Sequence, residues 1–336
     1  MPNGDRSWST VVGHDWAVEI LESGLRHDRL AHAYLLVGPP HIGKTTLART
    51  LAQAVNCETG SSVPCQRCRS CLLISRDRHP DVWLIEPELS SSGRAETLRI
   101  ERIRNLQKDL SLAPYEARFR VVVLARFHQA SAGAANALLK TLEEPPTRVK
   151  LILTADQTDG LLPTIVSRCQ VLTLRPLPLE KVEAALLLHW GADEEQAHRL
   201  AHISGGRLGL AVRLQKSPQL DQQRAEHLDM LEELLELDRT GRFRIADRLA
   251  TNKSVSEILE LWLGWWRDVM LAAADHADPP AVTNIDRSYQ IRVAASRYRL
   301  NTARLAIRSI QDTLWQLDRN ANTRLALEVL MLNLPA

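Results

Sequence analysis

Residues 33–46 read AYLLVGPPHIGKTT. An apolar run leads into the pattern G-x-x-x-x-G-K-[ST], and the helical sequence TLARTLAQAV follows it. Glycines let backbone N–H groups curl around phosphate oxygens, and the helix N-terminus favours the same anion. The lysine of this pattern reaches the β- and γ-phosphates, and the hydroxyl after it ligates Mg²⁺. The stretch therefore predicts a binding site for ATP with Mg²⁺, made of Gly38, Pro39, Pro40, His41, Ile42, Gly43, Lys44, Thr45 and Thr46.

Further apolar runs predict the strands that accompany this loop. Besides AYLLVG, they are VWLI (82–85), VVVLA (121–125) and KLILTA (150–155). Helical patterns lie between the runs, at 44–55, about 100–110 and 132–143. Runs of this kind are typical of strands that are buried on both faces, and their alternation with helices indicates βαβ crossovers. The sequence thus predicts an α/β domain with a mostly parallel sheet.

Beyond about residue 178 the strand signals disappear and helical periodicity takes over. Three domains are expected: an α/β domain over 1–178, a small helical domain over 179–237 and an all-α domain over 238–336. In the last of these, Trp262, Trp265 and Trp266 share one helix face, because their spacing is i, i+3 and i+4. Such a face predicts core or subunit packing. A platform for stacking bases is the alternative, but it would need a basic groove.

Composition narrows the possible functions. The 336 residues carry 42 Lys and Arg against 40 Asp and Glu, a net charge of +2 that does not indicate a nucleic-acid coat or a membrane-surface protein. No apolar run approaches the roughly 18 residues of a membrane span. The sequence MPNGDRSWST lacks the basic and apolar segments of a secretory signal. We therefore expect a cytoplasmic protein.

Four of the five cysteines cluster within residues 57–71. An odd total without an export signal does not indicate a disulfide framework. Four thiolates complete a tetrahedral Zn²⁺ site and leave no open position for catalysis. The pattern predicts a structural Zn²⁺ held by Cys57, Cys65, Cys68 and Cys71, with free or redox-active thiols as the alternative. Cys169, about a hundred residues away, is not expected to be a ligand.

The acidic residues that hydrolysis requires are missing from their usual place. A hydrolysing site of this kind has carboxylates at the end of another strand, which hold Mg²⁺ and orient the attacking water. The best candidate strand, 121–124, is followed by Ala125 and Arg126. Glu86, after VWLI, is a weaker candidate because Pro87 follows at once. The sequence predicts a chain that binds ATP but hydrolyses it poorly or not at all.

Three motifs carry a resemblance to a known family. They are HAYL (32–35), NALLKTLEEPP (136–146) and LPTIVSRC (162–169). Together with the phosphate loop and the cysteine cluster, they resemble the clamp-loader branch of the AAA+ superfamily. The resemblance implies that the three domains are an AAA+ domain, a helical lid and a collar that holds a pentameric ring together. It covers about residues 10–175 closely and the helical remainder in outline.

Within that family, the chain resembles delta-prime subunits of the bacterial DNA polymerase III clamp loader. The gamma and tau motor subunits share the motifs but have an Asp-Glu pair where this chain has Ala125 and Arg126. The resemblance implies gamma or tau and delta subunits as partners, together with the sliding clamp and primed DNA. The alternative is a hydrolysing motor subunit whose acid comes from elsewhere, such as Glu86 or Glu143.

The resemblance also implies roles for two residues outside the phosphate loop. In the family, the arginine of the Ser-Arg-Cys motif projects toward ATP in the neighbouring subunit, and Arg168 holds that position here. From the residues alone, a surface salt bridge is the alternative. Thr154 lies where the family has its sensor of the γ-phosphate.

Overall fold

The computed structural model describes residues 8, 10–60, 62–89, 96–274, 282–319 and 321–335. The chain divides into two compact units. The first is Met1–Leu177 with Arg207–Gly209, and the second is Pro178–Gly206 with Leu210–Ala336. The expected split of the helical part into a lid and a collar stays a prediction.

A parallel sheet of five strands forms the centre of the first unit. The strands in chain order are β1 (Ala33–Val37), β2 (Val82–Ile85), β3 (Glu88–Leu89), β4 (Glu96–Thr97), β5 (Arg120–Leu124), β6 (Val149–Ala155) and β7 (Gln170–Thr173). The order in the sheet is β2-β5-β6-β1-β7, while β3 and β4 form a separate antiparallel pair. The four predicted strands are confirmed. Strand β7 was not predicted, because three of its four residues are exposed and its apolar pattern is weak.

Helices cover both faces of this sheet. They are α1 (Asp15–Arg26), α2 (Lys44–Val55), α3 (Arg69–Ser75), α4 (Ile100–Leu110), α5 (Ala132–Glu143) and α6 (Pro163–Val166), with a 3₁₀ turn at Phe127–Gln129. Leu35 and Val37 of β1 face the core that contains α4 and α5. Tyr34 and Leu36 face the core that contains α1 and α2. The alternation explains why the strand is apolar throughout, and the α/β fold class is confirmed.

From residue 179 on, every described element is helical. The elements are α7 (Leu179–Trp190), α8 (Glu194–Ser204), α9 (Leu208–Lys216), α10 (Pro218–Glu236), α11 (Arg239–Ala250), α12 (Val255–Ala273), a 3₁₀ turn (Ile285–Arg287), α13 (Ser288–Arg297), α14 (Leu300–Asp318) and α15 (Thr323–Asn333). Over the part of the chain that is described, none of the helices is both long and apolar enough for a membrane span.

The three tryptophans of α12 lie in the core of the second unit. Trp262, Trp265 and Trp266 are each at most 1% exposed. The Trp262 indole N–H donates to the His227 carbonyl at 2.9 Å. The predicted core packing of this helix face is therefore confirmed.

We expect Trp266→Ala to destabilise the second unit. Trp266 stacks edge-on against Trp265 and contacts Tyr298, with ring centroids 5.1 and 5.3 Å away. Removal of a buried indole leaves a cavity and costs about 3–5 kcal/mol. Urea denaturation followed by circular dichroism measures the loss. Trp315→Ala is the matched control, because Trp315 is 57% exposed, and its effect should stay within about 0.5 kcal/mol.

Candidate functional site

The phosphate loop joins the carboxyl end of β1 to the start of α2. Gly38 has φ 153°, and a Cβ atom there would lie 2.4 Å from the Leu174 carbonyl oxygen. Gly43 has φ 112°, and its carbonyl accepts the first helical hydrogen bond, from Leu47, at 2.9 Å. Both positions thus require glycine. The loop curls as the sequence pattern predicts, with the N-terminus of α2 behind it.

Lys44 is buried in this loop and paired with a carboxylate. Its Nζ donates to the carbonyl oxygens of Gly38 and of Pro39, the latter at 3.0 Å, and to Asp156 Oδ1 at 2.7 Å. Burial lowers the pKa of the Lys44 ammonium, and the hydrogen bond to Asp156 opposes that shift. Lys44 is thus held inside the loop, where a bound phosphate group would meet it.

Asp156 was not predicted. It directly follows β6, whose Ala155 lies in register with Val37 at the end of β1. A carboxylate that ends the strand next to the phosphate-loop strand is a signal that the sequence contains. Its second oxygen lies 3.5 Å from His128 Nε2, so Asp156 stands between a lysine and an imidazole.

The end of β5 offers no carboxylate. Ala125 is 3% exposed, and its N–H donates to the Ile85 carbonyl at 2.9 Å. Arg126 takes a left-handed conformation, and its backbone N–H donates to Thr154 Oγ1 at 3.0 Å. The hydroxyl of Thr154, the expected phosphate sensor, therefore lies beside the backbone at the end of β5. The sensor role stays a prediction.

Sheet order decides which carboxylates can serve the phosphate loop. Neighbouring strands lie about 4.8 Å apart, so the end of β6 is one spacing from β1 and the end of β5 is about 10 Å away. Glu86 follows β2, three spacings or about 14 Å from β1. Of the two strand-end carboxylates Glu86 and Asp156, the second is the nearer to the loop.

Arg168 lies near the amino-terminal ends of the parallel strands, whereas the phosphate loop lies at their carboxyl ends. It follows α6 and precedes β7, whose first residue Gln170 is in register with Tyr34 near the start of β1. The five residues of β1 span about 16 Å, and that length separates these amino-terminal strand ends from Gly38. Arg168 therefore does not reach nucleotide in its own loop.

The Arg168 guanidinium contacts a carboxylate and a backbone carbonyl of its own chain. It donates to Glu143 Oε1 at 2.8 Å and to the Thr164 carbonyl at 3.0 Å. The side chains of Arg168 and Glu143 are 35% and 50% exposed. An ion pair this exposed is worth about 0–1 kcal/mol, so Arg168 exchanges Glu143 for another anion at little cost.

The cysteine cluster lies between α2 and α3. The sulfur atoms of Cys57, Cys65, Cys68 and Cys71 all lie within 4.8 Å of one another. Backbone N–H groups point at three of the sulfurs: Cys65 N–H to Cys57 at 3.3 Å, Cys68 N–H to Cys65 at 3.3 Å, and Cys71 N–H to Cys68 at 3.4 Å. Such N–H groups stabilise the thiolate charge of metal-bound cysteines.

The pKa values of two of these thiols shift in opposite directions. Burial raises the pKa of the Cys65 thiol, but hydrogen bonds from the backbone of Arg67 and Cys68 and from neighbouring cysteines lower it to about 6. Burial and a hydrogen bond with Cys68 raise the pKa of the Cys71 thiol. A tetrahedral Zn²⁺ with bonds of about 2.3 Å keeps its sulfurs about 3.8 Å apart, so these four need only small shifts. The cluster fits a closed tetrahedral metal site in ligand type, number and spacing.

Comparison with known proteins gives a consistent result. The sequence profile of a family described as "DNA polymerase III, delta subunit" matches residues 13–178. The DNA polymerase III subunit delta' of Bacillus subtilis is 32% identical over 257 residues, which cover 75% of this chain and 76% of that protein. The DNA polymerase III subunit tau of Escherichia coli is 38% identical over 194 residues, which are 57% of this chain but 29% of that protein.

Among solved structures, a mutant of Thermotoga maritima RuvB superposes with a TM-score of 0.43 at 16% identity over 68% of each chain. This structural similarity is weak. The sequence relatives include delta', tau and gamma subunits, and all three belong to DNA polymerase III. The chain therefore belongs to the family of DNA polymerase III clamp-loader subunits.

Proposed function

We propose that this chain acts as a delta-prime-like subunit of a DNA polymerase III clamp loader. It completes a ring with gamma or tau and delta subunits, binds ATP with Mg²⁺ without hydrolysing it efficiently, and lends Arg168 to the ATP site of a neighbour. In this role it supports the loading of the sliding clamp onto primed DNA. The experiment that tests this role is the reconstitution of the complex, below.

The observation that carries the proposal is an intact phosphate loop beside a β5 end without carboxylates. Gly38, Gly43 and Lys44 have the geometry for phosphate binding. Ala125 and Arg126 stand where an acid would hold Mg²⁺ and orient water, and neither side chain does either. Binding without turnover suits a subunit whose chemistry takes place in its neighbours.

The position of Arg168 supports action on a neighbour. The start of β7, which Arg168 precedes, is separated from the phosphate loop by about the length of β1, roughly 16 Å, and this supports contact with a nucleotide of another subunit rather than with its own. A guanidinium there neutralises charge on the transferring phosphoryl group. The exposed pair with Glu143 is weak, so the guanidinium can leave it for that nucleotide at little cost.

A structural Zn²⁺ in the cysteine cluster belongs to the same proposal. Cys57 comes one residue after Asn56, the C-cap of α2, so the ion would anchor the end of the helix that begins in the phosphate loop. Four thiolates would saturate Zn²⁺, which then supplies folding energy and no chemistry.

Lys44→Ala should strongly weaken ATP binding by the isolated chain. The substitution removes the Lys44 ammonium, which is held inside the loop, and we expect the dissociation constant to rise by about 100-fold, since hydrogen bonds to charged groups are worth about 1.5–3 kcal/mol. Fluorescence anisotropy of a labelled ATP analogue measures it. Lys140→Ala, on the exposed face of α5, should bind like the wild type. Equal affinities of the Lys44→Ala variant and the wild type would exclude the loop as the site.

A second candidate function is a motor subunit that hydrolyses ATP itself. Asp156 favours it, because this carboxylate lies one strand from the phosphate loop, 2.7 Å from Lys44. If Asp156 were the missing acid, the isolated chain would turn over ATP and Asp156→Asn would remove that turnover. Under the first proposal, Asp156→Asn changes no hydrolysis and leaves ATP binding in place.

Reconstitution of the complex tests whether this chain is a functional subunit of a clamp loader. We expect the chain to join tau and delta subunits of the same bacterium as a single copy per complex, measured by native mass spectrometry. The complex should then load the sliding clamp onto primed DNA, and its activity should fall when the chain is left out. Tau and delta subunits that load the clamp equally well without this chain would contradict the proposal.

A further inference from the structure

Three side chains with metal-binding atoms converge on helices α7 and α8 of the second unit. They are Glu183 on α7 and His198 and His202 on α8, and one ligand atom from each lies within 4.8 Å of the others. The two histidines are four residues apart, so they share one helix face. Their ring centroids are 4.7 Å apart.

The ring of His202 is held as a metal ligand requires. Its Nδ1 lies 2.8 Å from the carbonyl oxygen of Val282. A carbonyl only accepts hydrogen bonds, so Nδ1 carries the proton, and in the neutral ring the lone pair is on Nε2. Metal-bound histidines almost always have such a partner on their other nitrogen, because it fixes both tautomer and orientation. The contact is a second observation, independent of the clustering.

Glu183 and His198 supply the rest of the site. Glu183 Oε1 accepts a hydrogen bond from His198 Nδ1–H at 2.8 Å, which a bound metal would replace, and the side chains of His198 and Glu183 are 59% and 29% exposed. Ligand atoms of a tetrahedral ion at about 2.1 Å lie about 3.4 Å apart, so a modest rotation of the exposed His198 ring completes the geometry. Two imidazoles with one carboxylate suit late first-row transition metals such as Zn²⁺, Co²⁺, Ni²⁺ and Cu²⁺ better than Mg²⁺.

We propose that Glu183, His198 and His202 bind a divalent transition-metal ion that links α7 to α8. Three protein ligands leave a fourth position for water or another donor, unlike the four-cysteine cluster, which is closed. The site belongs to the helical unit and is independent of the proposed function.

Titration of the full-length chain with Ni²⁺ in a calorimeter tests the site. We expect the wild type to bind one equivalent more than His198→Ala. His189→Ala is the matched control, because it removes an exposed imidazole from the same pair of helices and should bind like the wild type. The cysteines are present in all these chains, so any Ni²⁺ that they take up cancels in the comparison.

Two further variants keep the test decisive. His202→Ala and Glu183→Gln should each weaken Ni²⁺ binding by at least about tenfold, while circular dichroism shows an unchanged fold. Equal uptake by the wild type and His198→Ala would overturn the proposal. An equal loss in His189→Ala would overturn it as well, because that imidazole lies outside the proposed site.

Discussion

Arg168→Ala should lower ATP hydrolysis by the reconstituted clamp loader while the complex still assembles. An arginine that stabilises transition-state charge from a neighbouring subunit is worth about 10³–10⁵ in turnover, so the ATP site that receives Arg168 should become nearly silent. Assembly should survive, because among the described residues the Arg168 side chain contacts Glu143, in an exposed ion pair, and the Thr164 carbonyl. Steady-state ATPase measurements with clamp and primed DNA report the loss.

Two controls distinguish a role of Arg168 at the ATP site of a neighbour from a general effect of removing one positive charge. Arg148→Ala removes an exposed arginine that precedes β6, also at the amino-terminal ends of the strands, and should leave the rate of ATP hydrolysis unchanged. Arg168→Lys keeps the charge but not the planar fork of donors, so it should restore only part of the rate. An unchanged rate of ATP hydrolysis in Arg168→Ala would mean that Arg168 forms a surface ion pair and has no role at an ATP site.

Cys68→Ser should cost the first unit its metal and much of its stability. Cys68 caps α3 by accepting the Cys71 N–H, and serine is also a good N-cap, so the substitution removes the thiolate and spares the helix start. Structural Zn²⁺ contributes about 10–16 kcal/mol in small zinc domains, and loss of even a fifth of that should lower the melting temperature of this unit clearly. Zinc content by mass spectrometry and thermal melting are the two readouts.

Cys169→Ala is the control for this substitution. Burial raises the pKa of the Cys169 thiol to about 11, so it stays protonated near neutral pH and is a poor metal ligand. The variant should retain one Zn²⁺ per chain. A wild-type protein without zinc, or a Cys68→Ser variant that keeps it, would favour free thiols.

Strands and site motifs could be predicted where one local stretch of sequence carries the whole signal. The three central strands β1, β5 and β6 are buried on both faces and therefore read as almost unbroken apolar runs, as VVVL of β5 shows, while the edge strand β2 is half-buried but still wholly apolar. The phosphate loop is equally local, because its glycines, lysine and helix are consecutive. By contrast, β7 has one buried residue in four, and its pattern is too weak to recognise.

The pairing of Lys44 with Asp156 could not be predicted in this way, because it joins residues 112 positions apart. It depends on β6 lying next to β1 in a register that ends both strands together. The same limit applies to Arg168: the motif suggests its partner in the ring, but its distance from its own phosphate loop follows only from the sheet order. The Glu183–His198–His202 cluster likewise needs the packing of α7 on α8.

The most direct test of the account is ATP binding and hydrolysis by the purified chain alone, with a tau subunit as the active reference. We expect the chain to bind ATP with Mg²⁺ and its turnover to equal the background of Lys44→Ala. Turnover well above that background would contradict it, because a carboxylate such as Asp156 would then do the work that Ala125 and Arg126 cannot.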